Sequence, residues 1–154
     1  MSWTEVFWDV NHKGKTLPQV LFSDPDWFFF MIEEGNFNDK GDIAGEAREL
    51  NFKARNIKIP QGEGEDLVAE YYVHQPTGKF QDMRLVPRSR EAHSGSIRSD
   101  MIDLNVPRQF SNYDKQGYRG LLRNVKFHIF GSSRYQMTKA RCEAFFDKDD
   151  NFML

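Results

Sequence analysis

Four basic residues in the last third of the sequence have the spacing of one face of a helix. At positions i, i+4, i+8 and i+11 stand Lys115, Arg119, Arg123 and Lys126, hereafter the basic row. If residues 113–130 form a helix, these side chains share one stripe opposite an apolar face. A stripe of cations on a rigid helix can follow a phosphate backbone. The alternative is the ordinary solvated face of an amphipathic helix.

The basic row lies within a segment of strongly positive charge. Residues 79–141 hold thirteen Lys and Arg against five Asp and Glu, which leaves eight basic and eighteen acidic residues elsewhere. The net charge of −2 therefore conceals a segregation of charge that often marks a surface for a polyanion. The other interpretation is that the acidic flanks pair with the basic segment. Five further cations are expected to support binding: Arg84, Arg88, Arg90, Lys13 and Lys15.

The lysines near the N-terminus belong to a short Gly-centred turn. Lys13-Gly14-Lys15 follows His12 and precedes Leu17 and Trp27. Such a turn can present backbone N–H groups and two charges to a phosphate. The alternative is a solvated turn in which Gly14 supplies a positive φ.

Residues 10–34 resemble the small C-terminal module of exodeoxyribonuclease X-like proteins. The resemblance is carried by the turn residues, by His12 at the aromatic-or-His position, and by Leu17 and Trp27. The chain departs from the family pattern at Val10-Asn11, where the family has Gly-Lys, and the proline that usually precedes the helix is displaced. The resemblance implies an accessory nucleic-acid-associated module, because the family's catalytic carboxylates lie in a separate domain.

Enzymatic and metal chemistry find little support in the sequence. Pro25-Asp26 could begin a metal-dependent nuclease motif, but no Asp/Glu-x-Lys follows it. Four histidines and Cys142 lack paired zinc-ligand spacing. The sequence therefore favours a non-catalytic protein with no metal and no cofactor.

Helices are predicted on both sides of a central β region. The segment after Asp24-Pro25-Asp26 predicts a helix that stops at Gly35, with Asp24 as its cap. Hydrophobic residues at helical spacing predict further helices over 43–55, capped by Asp42, over 113–130, capped by Ser111 or Asn112, and after Ser132 or Ser133. The alternation of Val125, Phe127 and Ile129 also permits a strand within 113–130.

Alternating residues predict a small antiparallel sheet within residues 67–106. Leu67–Val73 and Phe80–Val86 flank the turn Gln75-Pro76-Thr77-Gly78 and form a hairpin, 87–100 is a loop, and 102–106 is a third strand. The predicted class is α+β, with segments 1–60 and 61–154 forming one compact unit. The acidic tail 147–150 is expected to be solvated.

The leading functional prediction is non-catalytic binding of DNA or RNA through the phosphate backbone. The alternative is a phage- or mobile-element-type interaction protein that binds a host protein through its acidic surface. One cysteine, the lack of a signal-peptide pattern at the start and the lack of a long apolar run predict a cytoplasmic protein with no membrane partner.

Overall fold

The computed structural model describes residues 3–154 and has α+β architecture, as the sequence predicts. Helices occupy both ends of the chain and a small antiparallel sheet lies between them. Within the described residues the α-helices are α1 Leu17–Ser23, α2 Pro25–Glu33, α3 Asp42–Ala54, α4 Lys115–Phe130 and α5 Lys139–Asp147. No helix in residues 3–154 is long and apolar enough to cross a membrane.

The strands form one three-stranded sheet and one two-stranded pair. They are β1 Ile57–Lys58, β2 Leu67–His74, β3 Lys79–Pro87, β4 Ile97–Ser99 and β5 Met101–Ile102. In the larger sheet β2 lies between β3 and β4 and is antiparallel to both. The short β1 pairs with β5. The predicted β2–β3 hairpin is confirmed.

The third strand of the sheet is not where the alternating residues predict it. Strand β5 ends at Ile102, and the N–H of Leu104 donates to the Ala54 carbonyl instead of continuing a strand. The chain then enters a 3-10 helix, Val106–Phe110. The strand β4 forms inside the predicted loop because Arg98 lies opposite Glu70 of β2 and pairs with it.

The predicted start of the last helix is wrong. Helix α5 begins at Lys139 and not after Ser132 or Ser133, because the Thr138 side chain caps it by accepting from the Arg141 N–H.

The predicted caps of α2 and α3 are also wrong in detail. Asp24 occupies the N-cap position of α2, but its side chain does not cap the helix. Its carboxylate accepts a hydrogen bond from the Tyr118 hydroxyl at 3.0 Å and faces Nε2 of His12 at 2.8 Å. Gly41 is the N-cap of α3, which places Asp42 in the first turn, where its charge still favours the positive helix end.

One buried cluster draws residues from both ends of the chain and from the sheet. Phe22 of α1 packs edge-on against Phe130 of α4, with ring centroids 5.1 Å apart. Phe146 of α5 stacks on Phe152 at 5.5 Å, and both rings are fully buried. Segments 1–60 and 61–154 therefore contribute to a shared core that fixes α4 from one side.

The acidic tail 147–150 is exposed, as the sequence predicts, but one of its carboxylates also pairs with a buried lysine. Lys53 of α3 is buried, and its ammonium donates to the Phe146 carbonyl at 2.9 Å and to Asp149 at 3.0 Å. A buried ammonium requires such partners because burial without them is costly. Sequence reasoning could not anticipate this contact, since its partners lie more than ninety residues apart.

Candidate nucleic-acid interface

The helix α4 carries the basic row, and its two ends are well defined. The side chain of Asp114 caps the N-terminus by accepting from the Gly117 N–H at 2.9 Å. The predicted caps, Ser111 and Asn112, lie before the start of α4. Ser111 instead ends the preceding 3-10 helix as its C-cap. Gly131 ends the helix with φ +87°, a left-handed conformation that glycine adopts without strain. The alternative of a strand in this segment is excluded.

One face of α4 is buried and a second face is held against β3. Leu121, Leu122 and Val125 enter the core. Polar contacts to β3 occur near both ends and between them: Asp114 Oδ2 with the Phe80 N–H at 2.8 Å, Asn124 Nδ2 with Asp82 at 3.3 Å, and His128 Nε2 with the Met83 carbonyl at 3.0 Å. These contacts hold α4 in a fixed position and leave its remaining face open to solvent.

The basic row occupies this remaining face, as its spacing predicts. Lys115, Arg119 and Arg123 are exposed, and Lys126 is half-buried. Within residues 3–154 none of the four forms an ion pair or a side-chain hydrogen bond. Four cations that lack internal partners on one rigid face are well placed to bind an external anion.

Five of the nine other cations in the basic segment differ from the row, because the protein's own carboxylates neutralise them. These five are Arg84, Arg88, Arg98, Arg108 and Lys139. Four of these pairs draw on the acidic flanks, through Asp66, Glu70, Asp26 with Glu33, and Glu5. The folded protein therefore neutralises part of the positive charge of residues 79–141, but not the charge of the basic row.

The hairpin arginines that were expected to support binding divide into two groups. Arg84 pairs with Asp82 at 2.7 Å and its guanidinium lies 5.5 Å from the Tyr72 ring centre. Arg88 bridges Asp66 at 2.9 Å and Asp100 at 2.8 Å. These carboxylates raise the pKa of both guanidinium groups, and they lower the net charge that either can offer a phosphate. Arg90 is exposed.

The N-terminal turn offers lysine charges but not the expected N–H groups. Gly14 has φ +85°, as the turn requires, and its N–H donates to the Val6 carbonyl. The N–H of Lys15 donates to the His12 carbonyl. Lys13 is exposed and Lys15 is half-buried. Any phosphate contact by this turn would rest on the two side chains, because the Gly14 and Lys15 N–H groups are already bonded.

The residue His12 anchors this turn to the rest of the protein. Its ring is buried, with Nδ1 2.5 Å from Asp9 and Nε2 2.8 Å from Asp24, and it stacks on Trp27 at 4.1 Å. Asp24 also accepts from Tyr118 of α4. The turn and the helix with the basic row are therefore joined through one shared carboxylate.

A groove between α4 and β3 adjoins the basic row and is not predicted from the sequence. The groove has a volume of about 380 Å³ and is lined by donors from both elements, Lys79, Gln116, Arg123 and Asn124. Asp82 and Asp114 also line it, but both carboxylates already accept internal hydrogen bonds. The recurrence of Gln116, Gly120 and Asn124 every four residues was the available signal for this polar face.

Comparisons with known proteins add no constraint to this site. No protein-family model matches the chain, and searches of curated proteins and of solved structures also find no match. The resemblance to exodeoxyribonuclease X-like proteins therefore stays a prediction. In the part of the chain that the structure describes, no group of three or more His, Cys, Asp or Glu side chains is arranged to hold a metal ion.

Proposed function

We propose that this protein binds nucleic acid without catalysis, through phosphate contacts made by the basic row of α4. The observation that supports the proposal is the set of four cations without internal partners on a helix fixed at several points. From Lys115 to Lys126 the row extends about 16 Å along the helix axis. That length corresponds to roughly five nucleotides of a strand in a duplex.

Further cations are available for additional phosphate contacts. Lys79 lines the groove beside Arg123, and Arg90, Lys13 and Lys15 add charge without internal ion pairs among residues 3–154. Phosphate contacts of this kind give affinity without base specificity. The partner is therefore DNA or RNA of no fixed sequence. We place the protein in the cytoplasm, where its unpaired and buried Cys142 fits a reducing environment.

The experiment that tests this proposal reverses two charges of the row. Arg119→Glu combined with Arg123→Glu should abolish binding to a fluorescent oligonucleotide at moderate salt, because two phosphate contacts become two repulsions. The matched control is Arg48→Glu combined with Lys58→Glu. Both of these residues are exposed, and their reversal changes the net charge by the same amount.

The two variants separate a local surface from a general charge effect. The control should retain most of the wild-type affinity, and circular dichroism should show that both variants are folded. Equal loss in both variants would contradict a site on α4. If wild-type protein binds no oligonucleotide even at low salt, the proposal is wrong and the other sequence prediction, a module that binds a host protein through acidic residues, becomes the stronger one.

A further inference from the structure

An exposed aromatic residue continues the basic row at the same spacing. Arg119, Arg123 and Phe127 follow one another at intervals of four residues, so they lie along one line of α4. The Phe127 side chain is 54% exposed, whereas Val125 on the same helix is buried. Its ring contacts the neighbouring His128 ring edge-on, with the ring centres 5.4 Å apart. One face of this helix therefore presents two unpaired guanidinium groups and then an open aromatic ring.

The combination of cations and an open ring favours one type of nucleic acid. In a duplex the bases are paired and stacked inside, so an aromatic ring on the protein surface meets only sugar and phosphate. In a single strand each base has a free face that can stack on an aromatic side chain. Four residues correspond to about 6 Å along the helix axis. A nucleotide whose phosphate bonds Arg123 can thus reach Phe127 with its base.

We propose that the partner is single-stranded nucleic acid, held by Arg119 and Arg123 at its phosphates and by Phe127 through base stacking. This inference rests on the proposed function of the basic row and specifies its substrate. Stacking of this kind accepts any base, because every base has an aromatic face. Length and strandedness, and not sequence, are therefore the features that the protein distinguishes.

The chain offers a closely matched control for Phe127. Phe52 is also a phenylalanine on a helix, is 52% exposed and lies on α3, outside the basic row. Phe127→Ala and Phe52→Ala therefore remove the same side chain at the same exposure. Phe127→Trp is the conservative variant and should preserve or strengthen stacking, since it keeps a large aromatic face.

The test measures fluorescence anisotropy with three probes of equal length: a thymidine 15-mer, the corresponding abasic strand and a 15-base-pair duplex. Wild-type protein should bind the thymidine strand about tenfold more tightly than the abasic strand. Phe127→Ala should remove this difference and leave abasic-strand binding unchanged, whereas Phe52→Ala should behave as wild type. A uridine 15-mer in parallel distinguishes RNA from DNA.

Failure of this inference is distinguishable from failure of the proposed function. Equal wild-type binding to the thymidine and abasic strands, or unchanged binding by Phe127→Ala, would overturn base stacking while phosphate binding stands. Tighter wild-type binding to the duplex than to the single strand would also overturn it. If the wild-type protein binds none of the three probes, both proposals are overturned together.

Discussion

Replacing Glu70 with Gln removes a buried negative charge on which the edge of the sheet depends. One carboxylate oxygen accepts from the Ser96 hydroxyl at 2.6 Å and from the His93 N–H at 2.9 Å. The other accepts from two guanidinium nitrogens of Arg98, at 3.1 and 3.2 Å. These bonds hold the segment 88–99, which contains Arg88, Arg90 and strand β4, against β2. The variant therefore tests why a strand forms where the sequence suggests a loop.

The magnitude of the effect follows from the pKa of this carboxyl group. Burial raises the pKa of Glu70, but the bonds from Ser96, the His93 N–H and Arg98 outweigh burial and lower it from 4.5 to about 2. One pKa unit corresponds to about 1.4 kcal/mol. Because Arg98 is partly exposed and screened by water, we expect the charge to contribute roughly 2–3 kcal/mol to the free energy of unfolding at pH 7.

The contribution of Glu70 should depend on pH in one direction. The folded protein binds the proton more weakly than the unfolded chain does, so acid favours unfolding. The stabilisation is complete above pH 5.5 or so and is lost as the pH falls from about 4.5 towards about 2. In Glu70→Gln no proton binds at this position, so the variant lacks this part of the acid sensitivity.

Urea unfolding of wild-type and variant protein, followed by tryptophan fluorescence from pH 7 to pH 2.5, measures the effect. The difference in unfolding free energy should be roughly 2–3 kcal/mol at pH 7 and should shrink steadily below pH 4.5. Glu91→Gln, at an exposed position of the same segment, is the control and should show little difference at any pH. A Glu70→Gln difference that stays constant with pH would refute the reasoning.

Three further predictions concern residues that position or surround α4. Tyr118→Phe should lower the unfolding free energy by about 1–2 kcal/mol, because the hydroxyl donates to Asp24 and accepts from the Asp26 N–H, each at 3.0 Å; an unchanged urea midpoint would contradict this. Asp114→Ala should lower the free energy of unfolding by about 1–3 kcal/mol, because α4 loses its N-cap and a β3 N–H loses its acceptor. Asp114→Asn should recover part of this free energy, and thermal melts of both variants measure the difference. Burial raises the pKa of Cys142 to about 12, so iodoacetamide should modify the native protein slowly at pH 8 and the urea-unfolded protein rapidly; equal rates would show that the thiol is accessible.

The sequence predicted those elements whose signals are local. Helical spacing of apolar residues, with Gly35 and Gly131 as stops, located α2, α3 and α4 within a few residues. Alternation and the Pro-Thr-Gly turn located the β2–β3 hairpin. The strand β4 was missed because it depends on the contact between Glu70 and Arg98, which are 28 residues apart.

The candidate site could be predicted only in part for the same reason. The basic row follows from the helical period alone, so its common face and exposure were predictable from Lys115, Arg119 and Arg123. Whether a cation is neutralised depends on distant carboxylates, as when Arg88 pairs with both Asp66 and Asp100. No local pattern distinguishes these two kinds of cation, and only the folded chain separates them.

The most direct test of the central claim is the salt dependence of wild-type binding to a single-stranded 15-mer. If the four residues of the basic row each contact a phosphate, the logarithm of the association constant should fall with the logarithm of salt concentration with a slope of about −3. A slope near this value, reduced by charge reversal at Arg119 and Arg123, is the result that we predict. Salt-independent binding, or no binding at low salt, would contradict the assignment of α4 as a phosphate-binding surface.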